Sequence, residues 1–177
     1  MKRILLVAFV VAAVASAALA QIPEVSIHEL QQVPAESLTV ADGIAGFSAN
    51  STQTRWTLQT SPYMNDTVRV TAHVVVPPGM VTYTAGIWTM VLYDTATNVG
   101  QWGGMLLRAN YADSSQLKND GFLNVEAGDI ISFVGVVSEF PTSRGTSATQ
   151  IQPVAGNAIT ILDAKPLPKP LVKNIGD

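Results

Sequence analysis

The chain contains no cysteine in its 177 residues. This excludes disulfide frameworks, cysteine nucleophiles, cysteine-ligated zinc and a lipid anchor on an N-terminal cysteine. Only two histidines are present, and the G-x-S-x-G, G-x-x-x-x-G-K-[ST] and H-x-x-x-H patterns are all missing. These patterns mark a strained serine nucleophile, a phosphate-binding loop and a helical zinc site. The sequence therefore predicts a protein that is not an enzyme and that has no metal or cofactor.

Charge is also scarce, and it is mostly negative. Charged residues make up 13% of the chain, with 13 acidic against 10 basic. Without residues 1–20, eight basic residues remain against thirteen acidic ones, a net charge of −5; residues 21–163 hold five and twelve, a net charge of −7. Because polyanions are bound by clustered Lys and Arg, we expect little affinity for DNA or RNA and exclude nucleic acid as a partner.

The first twenty residues differ from the rest of the chain. Lys2 and Arg3 precede a short apolar run, and Ala-Leu-Ala at positions 18–20 fits a signal-peptidase site. The apolar run is too short to span a bilayer. We therefore predict that residues 1–20 are a signal peptide and that the mature chain starts at or near Gln21. The protein should be secreted, to the extracellular space, the cell surface or the periplasm, without membrane insertion after cleavage.

One sequence pattern occurs twice, about sixty residues apart. Residues 65–76 and 128–139 each begin with a turn-forming pair ending in Asp and continue as a β-branched run with a small central residue, Ala72 or Gly135. A small residue lets a strand bend sharply inside a barrel. The repeat predicts a small closed barrel in which the two long strands lie side by side.

The alternation of side chains along these strands predicts which of them face inward. The expected core residues are Val68, Val70, Val74, Ile131, Phe133 and Val137. His73 falls on the same side of its strand as Arg69 and Thr71, which we take as the outer face, so it should be exposed to solvent.

Other elements are shorter. Strands are predicted at 87–93 and 99–108 and across 148–162, with a break near Gly156. A Ser26-x-x-Glu29 capping box predicts a short N-terminal helix, and residues 113–118 suggest one or two further helical turns. Asp94 and Asp120 lie in polar turns, which explain them better than calcium binding does.

This order of elements is that of the OB-fold, a five-stranded barrel with a small helix between its third and fourth strands. The sequence also resembles OB-fold-like modules of secreted Bacteroidetes-type proteins, the kind found beside extracellular nucleases or sorting domains. The resemblance lies in Ser-Ile-His-Glu-Leu-Gln at 26–31, Ser-Pro-Tyr at 61–63 with the run 66–71, and Glu-Ala-Gly-Asp at 126–129. Asn65 and Ala72 stand where those modules have glycine. The resemblance implies an all-β, five-stranded OB-like barrel with one or two short helices and an N-terminal extension.

The predicted organisation has four parts. They are a signal peptide at 1–20, an N-terminal extension packing on the barrel at 21–60, the OB-like barrel at 61–163 and a Pro/Lys-rich segment at 164–177. The last part is either an interdomain linker of a longer gene product or a docking arm, because closely spaced prolines favour an extended chain.

OB barrels usually bind ligands across strands two and three and the nearby loops, often by aromatic stacking. The candidate ligand-binding residues there are Tyr83, Trp88, Tyr93, Trp102, Arg108 and Arg144. The alternative is that about half of these aromatics fill the barrel or cover the N-terminal segment. We predict a secreted, non-catalytic binding or accessory module that recognises a glycan, a peptide or a partner protein. A self-associating subunit of an extracellular filament, appendage or surface layer is the alternative function.

Overall fold

The structure, a computed structural model, describes residues 21–36, 60–80, 87–96, 102–110, 114–141 and 147–169. The predicted signal peptide lies outside these residues. The elements in chain order are α1 (Ile27–Gln31), β1 (Thr67–Val76), β2 (Ile87–Asp94), β3 (Gly104–Asn110), α2 (Ser114–Asn119), a 3₁₀ turn (Phe122–Asn124), β4 (Asp129–Pro141), β5 (Ser147–Pro153) and β6 (Thr160–Ala164). Within the described ranges, no helix has the length and apolarity needed to cross a membrane.

Strands β1 to β5 close into a barrel. β1 pairs antiparallel with β2 and with β4, β2 with β3, and β4 with β5, while β3 and β5 pair in parallel and complete the ring. β6 lies outside the ring, antiparallel to the N-terminal part of β4. The predicted all-β, OB-like barrel is confirmed. The two long strands are neighbours as predicted, paired from Thr67 opposite Val136 to His73 opposite Ile130.

Alternation along the strands fills the barrel with apolar side chains. All six predicted core residues are buried, and none is more than 1% exposed. Other fully buried side chains in the same cluster are Met90, Leu92, Leu107, Ile151 and Phe122. Each large apolar side chain removed from water stabilises the fold by about 1.5–3 kcal/mol before entropy is counted. This interior holds the strands in one register, because a slip of one residue would expose it.

β4 pairs with β6 along its first residues and with β5 along its later ones, and Gly135 is the first residue paired with β5. Residues 129–132 pair with β6, whereas residues 135–141 pair with β5. A Cβ atom added at Gly135 would lie 2.6 Å from Ile151 Cγ1 and 2.9 Å from the Gln152 carbonyl oxygen. The missing side chain therefore lets β5 approach closely where the barrel bends.

The N-terminal segment packs against the hydrophobic core of the barrel. Ser26 Oγ accepts from the Glu29 N–H at 3.2 Å and Glu29 Oε2 accepts from the Ser26 N–H at 2.9 Å, which confirms the predicted capping box. The resulting α1 presents Ile27 and Leu30, both fully buried, to the hydrophobic core. Asp94 Oδ2 accepts from the His28 N–H at 2.9 Å and ties α1 to the end of β2.

The chain before α1 also joins the sheet. The Arg69 N–H donates to the Pro23 carbonyl at 2.8 Å, and the Val25 N–H donates to the Arg69 carbonyl at 2.9 Å. Residues 23–25 therefore run parallel to β1 as a short additional strand segment.

The position of His73 corrects one prediction. The side chain lies on the outer face of β1, as expected, yet it is only 7% exposed. It is flanked on the adjacent strands by Tyr93 and Ile130. Its Nε2 atom has no hydrogen-bond partner among the described residues. Alternation identifies the face on which a side chain lies, but not what covers that face.

The strand β6 extends slightly beyond the predicted barrel. It runs to Ala164, which lies opposite Asp129, and the next N–H, that of Lys165, donates to the Gly128 carbonyl at 2.8 Å. The first two residues of the segment 164–177 thus pair with the barrel.

Candidate functional site

The outer surface of β3, β5 and β4 carries a group of polar and exposed apolar side chains. The residues that alternate with the buried core on these three strands form the surface that we call the β3–β5–β4 face: Leu106, Arg108, Ser138, Phe140, Gln150 and Gln152. They come together only because β3 and β5 pair in parallel, with Leu106 opposite Gln150.

A chain of hydrogen bonds holds Arg108 in place on this face. Arg108 Nη1 donates to Gln150 Oε1 at 3.0 Å, and Gln150 Nε2 donates to Ser138 Oγ at 3.2 Å. Gln150 is buried, so its amide is a fixed acceptor rather than a mobile surface group. The guanidinium carbon of Arg108 lies 5.2 Å from the centroid of the Phe140 ring, a cation–π contact.

Phe140 remains widely accessible despite this contact. Its side chain is 51% exposed, and Leu106 on the same face is 37% exposed. A cavity of about 150 Å³ lies beside Arg108. Its other lining residues are Ile87, Ala109, Asn110, Gln150 and Gln152. Because pockets for drug-sized ligands measure about 300–1,000 Å³, this space suits one planar ring and not a whole enclosed ligand.

The four predicted site residues that the structure describes do not form a single cluster. Tyr83 and Arg144 lie outside the described residues. Trp88 is half-buried against the core, and a Cβ at Gly79 would lie 3.2 Å from its ring. Tyr93 is half-buried on the opposite face of the same strand, where it is paired with His73.

Trp102 lies outside the third strand, contrary to the predicted boundaries of 99–108. It has a φ of 64°, which a β ladder does not accept, and β3 starts only at Gly104. The side chain is 40% exposed in the connection between β2 and β3. Of the four predicted site residues that the structure describes, only Arg108 belongs to the β3–β5–β4 face.

Sequence reasoning missed Phe140, Gln150 and Gln152. The signal was present, because Ile151 marks the inward side of residues 147–153 and the neighbouring glutamines must then point outward. The parallel pairing that brings them to Arg108 joins residues about forty positions apart, and no local pattern encodes it.

Three buried carboxylates, those of Asp94, Asp120 and Glu139, accept hydrogen bonds that hold separate parts of the fold together. Besides Asp94, Glu139 Oε1 accepts from the Ser61 N–H at 2.7 Å and from Thr149 Oγ1 at 2.8 Å. Asp120 accepts from Gln116 Nε2 at 2.8 Å and from the Gly156 N–H at 2.9 Å. Within the described parts of the chain, no three His, Asp or Glu side chains lie close enough to share a metal ion.

No protein-family model matches the sequence, and no curated protein is significantly similar to it. Solved structures do match. Two crystal structures of mitochondrial single-stranded DNA-binding proteins from S. cerevisiae are similar to this chain with TM-scores of 0.40 and 0.39, at 11% and 13% sequence identity. Each match covers 56% of this chain and 97% of the yeast chain. The function proposed below therefore rests on the residues of the β3–β5–β4 face and not on these similarities.

This comparison corrects two predictions. The predicted module for a glycan, a peptide or a partner protein, together with its filament-subunit alternative, is wrong, and so is the exclusion of nucleic acid. The similar structures are single-stranded DNA-binding proteins. The exclusion relied on net charge, which measures attraction to phosphates but not the stacking of unpaired bases on aromatic rings and guanidinium planes.

Proposed function

We propose that the barrel binds a single-stranded nucleic acid on the β3–β5–β4 face. The observation that carries this proposal is the Arg108–Phe140 pair, a widely exposed aromatic ring with a guanidinium held against it by the buried amide of Gln150. Unpaired bases stack on such rings and planes, whereas a duplex hides its base faces.

The side chains have separate roles in this contact. The accessible side of Phe140 accepts one base by stacking, a contact that contributes about 1–3 kcal/mol. Arg108 uses one N–H on Gln150, and its remaining donors are suited to a phosphate or a base edge. Gln152 is exposed on the same face and carries both a donor and an acceptor for a base edge.

Net charge sets the strength of the complex. A chain with a net charge of −5 after residue 20 repels a polyanion at long range, so binding depends on a few short contacts. One base stacked on Phe140 at about 2 kcal/mol, one base-edge hydrogen bond from Gln152 at about 1 kcal/mol and one phosphate contact of about 1 kcal/mol give a Kd of about 1 mM per site. With a single phosphate contact, the logarithm of the affinity should fall against the logarithm of salt with a slope of only about −0.7.

Nuclear magnetic resonance titration with an eight-nucleotide thymidine oligomer tests the proposal. We expect chemical-shift changes at Arg108, Phe140 and Gln152, and weaker changes with the matching duplex. Phe140→Ala should weaken binding about fivefold or more, from the loss of about 1–3 kcal/mol of stacking. Leu162→Ala is its control, because Leu162 is 55% exposed on β6 and truncation there removes a similarly accessible apolar side chain.

A second pair of variants separates the local role of Arg108 from a general effect of net charge. Arg108→Gln and Arg69→Gln remove the same charge, but Arg69 lies on β1 beside Pro23 and Glu24. Only Arg108→Gln should reduce the affinity strongly. The proposal fails if millimolar oligomer causes no shifts, or if the two arginine variants weaken binding equally.

We further propose that the protein is exported, on the basis of the basic start, the apolar run and the Ala-Leu-Ala at 18–20. Its ligand would then be a single-stranded nucleic acid outside the cytoplasm.

A further inference from the structure

We infer that Gln21 is a site of covalent modification, at which the mature N-terminus cyclises to pyroglutamate. The inference rests on the proposed cleavage after Ala20 and is independent of the proposed nucleic-acid function. Gln21 then supplies both reacting groups, its new α-amino group and its own side-chain amide.

The structure leaves Gln21 available for this reaction. Hydrogen bonding to β1 begins at Pro23, whose carbonyl accepts the Arg69 N–H at 2.8 Å. Gln21 lies two residues before that anchor, is exposed, and makes no hydrogen bond to any other described residue. It borders an open concavity of about 500 Å³, whose other lining residues are Ile22, Pro23, Glu24 and Arg69. Ring closure therefore requires no sheet hydrogen bond to break and meets no packed neighbour.

The chemistry is balanced without a further reactant. The α-nitrogen of Gln21 attacks its side-chain carbonyl carbon, Cδ, and forms a new C–N bond in a five-membered lactam. The Cδ–Nε2 bond breaks, and a proton from the α-amine passes to the departing nitrogen, which leaves as ammonia. Nothing is oxidised or reduced. The attacking amine must be uncharged, a state that is well populated near neutral pH because α-amino groups have a pKa of about 7.7–8.0.

The product has different properties at this surface. Cyclisation removes one positive charge from a concavity that Arg69 and Glu24 also border. The lactam has no free amine, so the chain becomes resistant to aminopeptidases that need one.

Intact-mass measurement on exported protein tests the inference. We expect the mass of residues 21–177 less one ammonia, with the peptide containing residue 21 refractory to Edman degradation until pyroglutamyl aminopeptidase is added. Gln21→Asn is the matched control, since the same amide one methylene closer would have to form a strained four-membered ring and should stay open.

The measured mass distinguishes a failure of cyclisation from a failure of the proposed cleavage. A full-mass chain starting at Gln21 overturns the modification while leaving export intact. A chain retaining Met1, or starting at another residue, overturns the modification and its premise together. Neither result touches nucleic-acid binding, which is measured on the β3–β5–β4 face.

Discussion

Gly135→Ala should destabilise this barrel, although alanine is ordinarily the better strand residue. The new methyl would lie 2.6 and 2.8 Å from Ile151 Cγ1 and Cδ1 and 2.9 Å from the Gln152 carbonyl oxygen. The isoleucine side chain can rotate, but the carbonyl belongs to the β4–β5 ladder, where Gln152 lies opposite Val136. The substitution must therefore displace backbone, and the close approach of the two strands is lost.

Two opposing terms set the size of the effect. Overpacking a closed core costs about 1–3 kcal/mol, and a backbone clash places this site toward the upper end. Replacing a strand glycine returns about 0.5–1 kcal/mol. The free energy of unfolding should thus fall by about 1–2 kcal/mol, and Tm by about 2–8 °C for a domain of this size.

Urea unfolding followed by tryptophan fluorescence measures the loss, with Gly104→Ala as the matched control. At Gly104, also in a strand, the nearest atom to an added Cβ is the Leu92 carbonyl oxygen at 3.9 Å, an ordinary contact. The control should be neutral or more stable by about 0.5 kcal/mol. In an Ile151→Ala background the Gly135→Ala penalty should shrink, because the methyl then occupies vacated space. A Gly135→Ala protein as stable as the parent would refute the packing argument.

Two further predictions concern the outer face of β1 and the start of α1. His73→Leu should raise the free energy of unfolding by about 1 kcal/mol, because a buried Nε2 without a partner loses its hydration without compensation. Thr71→Val, which removes the hydroxyl bonded to Glu24 Oε1, should instead lower the free energy of unfolding. A His73→Leu protein less stable than the parent would contradict the reasoning. Hydrogen bonds from the Ser26 backbone N–H, and then from its hydroxyl, hold the pKa of the Glu29 carboxyl below its ordinary value. Because the folded-state pKa is the lower one, the stabilisation of α1 by this contact is complete above the unfolded pKa and is lost as the pH falls through the folded pKa. Ser26→Ala should raise the pKa of Glu29 part of the way back in a carbon-detected titration, and an unchanged pKa would show that the hydroxyl contributes nothing.

The barrel itself was largely predictable, because local patterns encode most of it. The repeated β-branched runs around Ala72 and Gly135 gave both long strands and their core faces, and the Ser26–Glu29 pair gave the start of α1. Each of these depends on spacing within a few residues. The boundary of β3 was missed, since a positive φ at Trp102 interrupts a run that otherwise looks continuous.

The candidate site was much less predictable. Arg108 was identified, but its partners Phe140 and Gln150 reach it only through tertiary pairing. Trp88 and Tyr93 looked equivalent on one strand, yet they lie on opposite faces, one against the core and the other toward His73. Aromatic content suggests that a surface exists, whereas strand pairing decides which ring remains exposed on it.

The parallel seam between β3 and β5 should be the part of the barrel that opens most easily. Among the described residues, two pairs register across it, Leu106 with Gln150 and Leu107 with Ile151, whereas β1 and β4 are joined by seven pairs. Thermal fluctuations that open the ring should start at the seam with the fewest bonds, and amide hydrogens there should exchange with solvent sooner than those of the β1–β4 seam. The Arg108–Gln150 hydrogen bond spans this seam from outside. A ligand that immobilises Arg108 would therefore hold β3 and β5 together and slow amide hydrogen exchange in both strands.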